Sequence, residues 1–256
     1  MRTEVDLLEK RIRERFVKAF VTYHLLEDGD HVLVGLSGGK DSLCLLEMLG
    51  KRAKIDQPRF RVEAIHVRME NISYETSTDY LEQFCKELDV PLHIVTTSFS
   101  ATPANHTSPF STPNSQLKQK PPCFLCSWNR RKQLFNLAQE LGGNKIALGH
   151  HQDDLLHTCL MNQFYQGRFD TMPALLKMRK MPLSIIRPLC MVEENDIRRY
   201  AELRGYEKQV KLCPYETVSH RDDMRQLFEQ IQQMNPEARH SLWNAIVRAG
   251  KLVDIS

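Results

Sequence analysis

Three groups of residues in this chain of 256 residues combine reactive side chains at informative spacings. The first is Ser37-Gly38-Gly39-Lys40-Asp41-Ser42, set between the short apolar run His31–Leu36 and Leu43–Leu49, which reads as the first turns of a helix. A glycine pair there lets the backbone approach an anion closely and adopt dihedrals that side chains forbid. The helix start presents free N–H groups and a positive dipole end to the same point. Lys40 adds a charge, and Ser37 and Ser42 add hydroxyls. Asp41 is an acid where an anion should sit, and it suits a magnesium ligand or a residue that orders the loop. The expected chemistry is phosphate binding; a tight turn with no ligand is the plain alternative. A Walker A loop is excluded, because GxxxxGK[ST] is absent.

The second group is the pair Cys123-Phe124-Leu125-Cys126, with Cys213 farther along in Leu212-Cys213-Pro214. One CxxC serves as a redox pair, half a zinc site or part of an iron–sulfur site. Three thiolates leave one coordination position open. That suits a metal or cluster that hands on a small ligand better than a closed structural site. Cys44, Cys85, Cys159 and Cys190 sit among apolar neighbours and read as core residues. A third constellation, Gly149-His150-His151-Gln152-Asp153-Asp154, follows the apolar run at 145–148. Asp153 and Asp154 suit magnesium binding, capping of the next helix or proton acceptance. An independent metal site on the His pair and the two acids is the lesser alternative.

The elements that must position these groups alternate. Apolar runs at 31–36, 61–67, 91–97, 145–149 and 183–187 read as buried strands. Helical periodicity separates them at 76–88, 127–141, 153–165 and 194–204. Such alternation predicts an α/β fold, a doubly wound and mostly parallel sheet covered on both faces. Residues 4–26 place apolar side chains at Leu7, Leu8, Ile12, Phe16, Phe20 and Leu25, an amphipathic helix ahead of the first strand. Residues 98–122, rich in Ser, Thr, Pro and Asn, read as a long loop before the Cys pair. The expected division is an N-terminal helix at 1–27, the α/β domain at 28–210 and a helical segment at 211–256 that carries Cys213.

Composition narrows the classes. Apolar residues make up 41% and charged residues 26%, which excludes collagen, a coiled-coil rod and a wholly disordered chain. The net charge of +3 names no partner, so any nucleic-acid surface must come from local clusters. Candidates for nucleic-acid contact are Arg130 and Arg131 beside the Cys pair, and Arg168, Lys177, Arg179 and Lys180, with Arg187 closing that second basic span. A solvated basic face is the alternative. Trp128, Phe164 and Tyr165 are candidate stacking partners for an unpaired base. No run approaches the ~20 apolar residues that span a bilayer, and the N-terminus lacks a signal peptide's apolar core. Seven cysteines, an odd number, argue against a secreted disulfide framework. The expected location is the cytoplasm.

SGGKDS resembles the pyrophosphate loop of the PP-loop ATPases, which adenylate a carbonyl oxygen and release pyrophosphate. With CxLCSxxRR at Cys123–Arg131, IALGHHxDD at Ile146–Asp154, IRPL at Ile186–Leu189 and a Cys at 213, the chain resembles the tRNA 2-thiocytidine synthetases, the TtcA group. That resemblance runs from about residue 18 to 248. The His-His-x-Asp-Asp stretch is also similar to one in the tRNA-isoleucine lysidine synthetases, from which the three cysteines separate this chain. The resemblance implies ATP at the carboxyl ends of the strands, with His66, Val67 and Gly149 beside it, and Mg²⁺ on Asp41. It implies a 4Fe–4S cluster on Cys123, Cys126 and Cys213. The implied reaction is adenylation of the C2 oxygen of cytidine 32 in tRNA and its replacement by sulfur from a cysteine desulfurase or another donor. The lone Cys213, the loop at 98–122 and the stretch 69–76 differ from the best-known members. A cluster-free enzyme using a Cys123 or Cys126 persulfide, a sulfurtransferase for a small metabolite and a zinc- or nucleotide-binding RNA module are the competing readings. The oligomeric state is open, a homodimer among its options.

Overall fold

The computed structural model describes residues 3–70, 72–98, 122–212 and 220–255. In chain order the first elements are α1 (Glu4–Tyr23), β1 (His31–Gly35), α2 (Lys40–Ala53), β2 (Arg61–Met69), β3 (Ser73–Tyr74), α3 (Asp79–Leu88) and β4 (Leu92–Thr97). Then come α4 (Pro122–Glu140), β5 (Lys145–Ala147), α5 (Gln152–Gln166), β6 (Leu175–Lys177), β7 (Ser184–Ile186) and α6 (Glu194–Arg204). The chain closes with β8 (Lys211–Leu212), α7 (His220–Met234), α8 (Ala238–Arg248) and β9 (Val253–Asp254). The seven-stranded sheet has the order β4-β2-β1-β5-β7-β6-β9, and β3 pairs with β8 separately. Every pair in the large sheet is parallel except β6 with β7.

Alternate residues of β1 serve the two faces of the sheet. Val32 and Val34 join the larger core cluster with α1, α2, α5 and α6, while Leu33 joins Ile65, Val67, Ala138 and Ile146 against α4. Helix α1 buries Leu8, Ile12, Phe16, Ala19 and Tyr23 in that larger cluster, and Thr3 and Asp6 cap its start. Cys44, Cys85, Cys159 and Cys190 are all buried, as expected of core thiols.

The differences from the sequence reading have local causes. Helix α4 begins at Pro122, before the Cys pair, where a helix from 127 was expected. Proline suits the first helical position, but no polar capping residue marks the start in the sequence. Strands β6, β8 and β9, of three, two and two residues, are too short to leave a periodic signal. The segment from 211, expected as helical, therefore also contributes two strands. The loop expected at 98–122 falls mostly outside the described residues, as does Cys213.

Strand order reverses between β1 and β5. The crevice of an open α/β sheet opens at such a point, beyond the strands' carboxyl ends. Both chemical motifs, the SGGKDS loop after β1 and the His pair after β5, lie there.

A buried acid fixes the next layer. Glu47 of α2 is 0% exposed and receives hydrogen bonds from Tyr200, Tyr206 and Arg204 and an ion pair from Lys51. It thereby anchors the end of α6 and the turn that leads into residues 205–210. Burial pushes the Glu47 carboxyl up, but Lys51, Tyr206 and Arg204 outweigh it and hold it below the ordinary 4.5. A lowered acid stabilises the fold above its unfolded value, and that contribution is lost as pH falls through the folded one. Glu47→Gln should therefore cost about 2 kcal/mol in urea denaturation at pH 7. The difference from wild type should shrink as pH falls below 4.5.

Candidate functional site

The loop between β1 and α2 is built as an anion cradle. Gly38 holds φ +78°, a conformation other residues rarely adopt. Gly39 caps α2 without a side-chain hydrogen bond to its N–H groups, so the helix start remains available to a ligand. Ser42 Oγ donates to Gly39 O over 2.9 Å and lies 3.0 Å from Ser37 Oγ. Lys40 Nζ stands 3.0 Å from Asp41 Oδ1 and 3.0 Å from Glu194 Oε1 at the start of α6. Burial lowers the Lys40 pKa, but the two carboxylates prevail and raise it, so the ammonium is charged at neutral pH.

Two close approaches lock this loop in place. A Cβ on Gly149 would sit 3.0 Å from the carbonyl carbon and oxygen of Asp41 and 3.1 Å from Ser42 N. On the other side, Gln209 N donates to Gly38 O over 3.0 Å, and a Cβ on Gly38 would lie 2.6 Å from Gln209 Cβ. Residues 205–210 thus form a strap across the loop, reaching out from the Glu47 anchor.

Beside the strap lies a cavity of about 310 Å³, bounded by Ser37, His66, Val67, Tyr74, Arg130 and Gln209 among others. His66 is 2% exposed, and its Nδ1 donates to Leu36 O over 2.7 Å. Burial first, then Arg130 and Arg68, pushes its pKa below the ordinary 6.5 despite that bond. The ring is therefore neutral, and its Nε2 is a buried acceptor that finds no partner among the described residues. Arg130 Nε and Gln209 Nε2 are likewise unpaired there. Unsatisfied buried polar atoms are uncommon in folded proteins, and three around one cavity suit a polar ligand of nucleoside size. His66 and Val67 line the cavity beside the loop. Tyr74, Gln209 and Glu194 join it from distant parts of the chain and carry no motif that would have marked them.

The acids after β5 divide into two roles. Asp153 is 7% exposed; its carboxylate bonds Arg239 of α8 at 2.5 Å and receives Glu194 N–H at 2.8 Å. Burial raises its pKa, but Arg239 outweighs it and holds the acid below its ordinary value. With both oxygens engaged, Asp153 ties α8 and α6 to α5. Asp154 accepts His151 N–H at 3.1 Å, which caps α5, and faces Arg221 at 3.5 Å. His151 Nε2 lies 3.8 Å from Asp41 Oδ1. Asp41 Oδ1 is buried and accepts no well-formed hydrogen bond among the described residues, although Lys40 is within ion-pair range. Of the three candidate acids, Asp41 is the one that borders the anion cradle itself, paired there with Lys40. His150 is pushed down to about 4 by burial and by Arg187, whose Nε donates to its Nδ1 over 3.2 Å.

Cys123 and Cys126 lie in the first turns of α4, the first exposed and the second half-buried. Cys126 packs with Leu125 and Tyr74 against Met69 and Ile72. Arg130, one turn farther on, donates to Tyr74 Oη over 3.1 Å and lines the cavity. Strand β3 carries Ser73 opposite Leu212 of β8, so the chain neighbour of Cys213 is pinned one residue from Tyr74. No three-ligand metal group is complete among the described residues, which do not include Cys213.

The basic candidates separate. Arg130 and Arg131 belong to this edge. Lys177 pairs with Ser184 at the start of β7 and lines a cavity with Asp30 and Asn144, at the amino ends of the strands. Arg179 and Lys180 lie in the β6–β7 turn at that opposite edge, and Arg168 follows the far end of α5. Arg187 is 7% exposed and bonds His150 and Pro173 O, so it is no part of a surface patch.

Comparison with known proteins agrees with this geometry. The PP-loop domain family matches residues 8–209. A tRNA-cytidine(32) 2-sulfurtransferase of Paraburkholderia xenovorans (strain LB400) is 34% identical over 95% of this chain and 69% of its own length. Another with that name, from Cellvibrio japonicus (strain Ueda107), is 31% identical over 99% of this chain and 82% of its own. In fold, the chain is similar to the U34-tRNA thiolase NcsA from Methanococcus maripaludis with its [4Fe-4S] cluster. The TM-score is 0.71, with 23% identity over 96% of this chain and 79% of that one.

The Gly149 contact makes a quantitative claim. Its Cβ would meet backbone, which cannot rotate away, so Gly149→Ala must displace the start of α2. With ATP as the probe, calorimetry should find affinity reduced about tenfold, or about 1.4 kcal/mol. The folded core, followed by circular dichroism, should persist.

Proposed function

Because this chain belongs to the tRNA-cytidine(32) 2-sulfurtransferase family of PP-loop proteins, we propose that it adenylates and thiolates a cytidine of tRNA, at C2 of position 32. The chain is an ATP-dependent sulfurtransferase of tRNA; the base, the atom and the sulfur route are our reading. The observation that carries it is the placement of two thiols on the helix that also bounds the nucleotide cavity. Arg130 follows Cys126 by four residues, about 6 Å along α4, and lines that cavity.

ATP is read with its phosphates on Ser37–Ser42 and its adenine beside Val67. The neutral His66 Nε2 offers a lone pair to the exocyclic amino group. Asp41 would hold Mg²⁺ against the phosphates, while Lys40 leaves Glu194 to neutralise charge that builds up at the α-phosphorus. The C2 oxygen of cytidine attacks that phosphorus, a P–O bond breaks and pyrophosphate departs. The adenylated oxygen is then a good leaving group: sulfur bonds to C2, and AMP carries the original oxygen away. The strap at 205–210, held on Gly38 by Gln209, limits water around the adenylate.

The donor set fits a cluster on Cys123, Cys126 and Cys213. Two of the thiols share a helix turn, and the third follows a strand pinned beside Tyr74. When bound, a 4Fe–4S cluster supplies one iron without a protein ligand, at which sulfur can be carried. The sulfur comes from a cysteine desulfurase or an equivalent donor in the cytoplasm.

Anaerobic purification should give about four irons per chain with matching sulfide, and Cys126→Ser should lose them. With ATP, a sulfide source and tRNA, mass spectrometry of digested RNA should find 2-thiocytidine. Asp41→Asn should lower kcat by about a hundredfold at unchanged iron content. Iron-free protein that still forms 2-thiocytidine would replace the cluster with a persulfide. A thiolated uridine in place of cytidine would refute the target.

A further inference from the structure

Helix α4 turns a mixed face to solvent. Cys123, Phe124, Ser127, Trp128, Arg131 and Lys132 are all exposed, falling in two adjacent rows four residues apart. Trp128 is 51% exposed and Phe124 47%, and Lys132 Nζ stands 5.5 Å from the Trp128 ring centroid. Large aromatic side chains left half-open beside a reactive thiol need an explanation, since burying them would stabilise the fold. The charge pattern supplies one. Helix α4 carries Arg130, Arg131 and Lys132 against a single acid, Glu140, at its far end. Among the described residues no ion pair engages Arg131 or Lys132. Arg131 is close enough to the buried Arg187 to oppose its charge. This surface is short of anions.

We infer that Trp128 is the stacking platform for an unpaired base of the tRNA anticodon loop, with Lys132 and Arg131 on the flanking phosphates. The inference rests on the tRNA reading above and deepens it by naming the side chain that seats the loop. A single-stranded base offers an aromatic face whatever its identity, and its backbone offers the anion. A peptide partner of the same shape would need acidic side chains at matching positions; an RNA loop carries a phosphate at every step. Since Trp128 lies in the row beside Cys123 on the exposed face of α4, a base held there keeps the next nucleotides close to that exposed thiol. Trp128 is thus a positioning residue, and the chemistry remains with the loop and the cysteines.

The test uses the anaerobically purified holoprotein and an anticodon stem-loop RNA bearing 5-iodocytidine at single loop positions. Irradiation should join one of these positions to Trp128, identified by peptide mass spectrometry. Trp128→Ala should weaken binding of the stem-loop about tenfold to a hundredfold, with ATP affinity and iron content reporting an intact fold. Trp128→Phe should retain most of the affinity, because a ring remains. Lys132→Ala should reduce the slope of log affinity against log salt by about one. Undiminished RNA affinity in Trp128→Ala, or cross-links that map elsewhere, would overturn the stacking role while leaving the tRNA reading standing. That result would give the ridge to another occupant, such as residues 99–121 or a second copy of the chain. Failure of the wild-type protein to bind the stem-loop would remove both.

Discussion

Everything at the carboxyl edge of this sheet depends on one backbone-to-backbone contact, between Gly149 and the first turn of α2. Strands β1 and β5 are neighbours, and the helices that follow them, α2 and α5, join one core cluster. The two segments that emerge between them must therefore pass at van der Waals distance. Glycine fits there without displacement, because a Cβ at 149 would stand 3.0 Å from the peptide of Asp41 and push it aside. That contact sets the direction of α2 and so the direction of its unsatisfied N–H groups. It also brings His151 and Asp154 alongside Asp41, joining the second motif to the first. The strap at 205–210 then closes the remaining side through Gln209 and Gly38.

Charge is arranged around that contact in pairs that a ligand can exchange. Lys40 rests between Asp41 and Glu194, at 3.0 Å from each. A triphosphate offers more negative charge than either carboxylate, so the same ammonium can turn to it without ever being unpaired. Buried ions are costly when left alone, and such an exchange avoids that cost. Asp153 plays the opposite part. Bound by Arg239 on one oxygen and by the N–H of Glu194 on the other, it is held in a structural role. It fixes where α6 begins, and through α6 it fixes where Glu194 meets Lys40.

How much of this was readable beforehand follows from distance along the chain. The βα alternation, the SGGKDS loop and the CxxC are local patterns, and each lies where its own neighbours put it. The buried thiols at 44, 85, 159 and 190 were legible for the same reason, since apolar context is local. Gln209, Glu194 and Tyr74 were not, because their roles arise only when 205–210 crosses the loop and β3 meets β8. Neither event leaves a periodic trace in two- or three-residue segments. The basic span misled in a related way. Arg168, Lys177, Arg179, Lys180 and Arg187 are near in sequence, yet β6 and β7 run antiparallel. Their turn carries the middle residues to the far edge and returns Arg187 to a buried bond with His150.

The cysteine pair lies on α4, which begins at Pro122 rather than at the expected 127. On α4 the thiols keep the separation of residues three apart on one helical face. Packing of Cys126 with Tyr74, Met69 and Ile72 then fixes the helix against the strand ends. Cys123 stays exposed, so one thiol is held by the core and the other faces outward. Strand β8, which ends at Leu212, pairs with β3 through residues that flank the same small apolar cluster. A single patch of packing, Met69, Ile72, Tyr74 and Leu125, therefore sets the helix, the strand and, through Arg130, the cavity wall. Substitution within that patch would move the thiols and the cavity wall together, which is the coupling the proposed reaction requires between the site that activates an oxygen and the thiols.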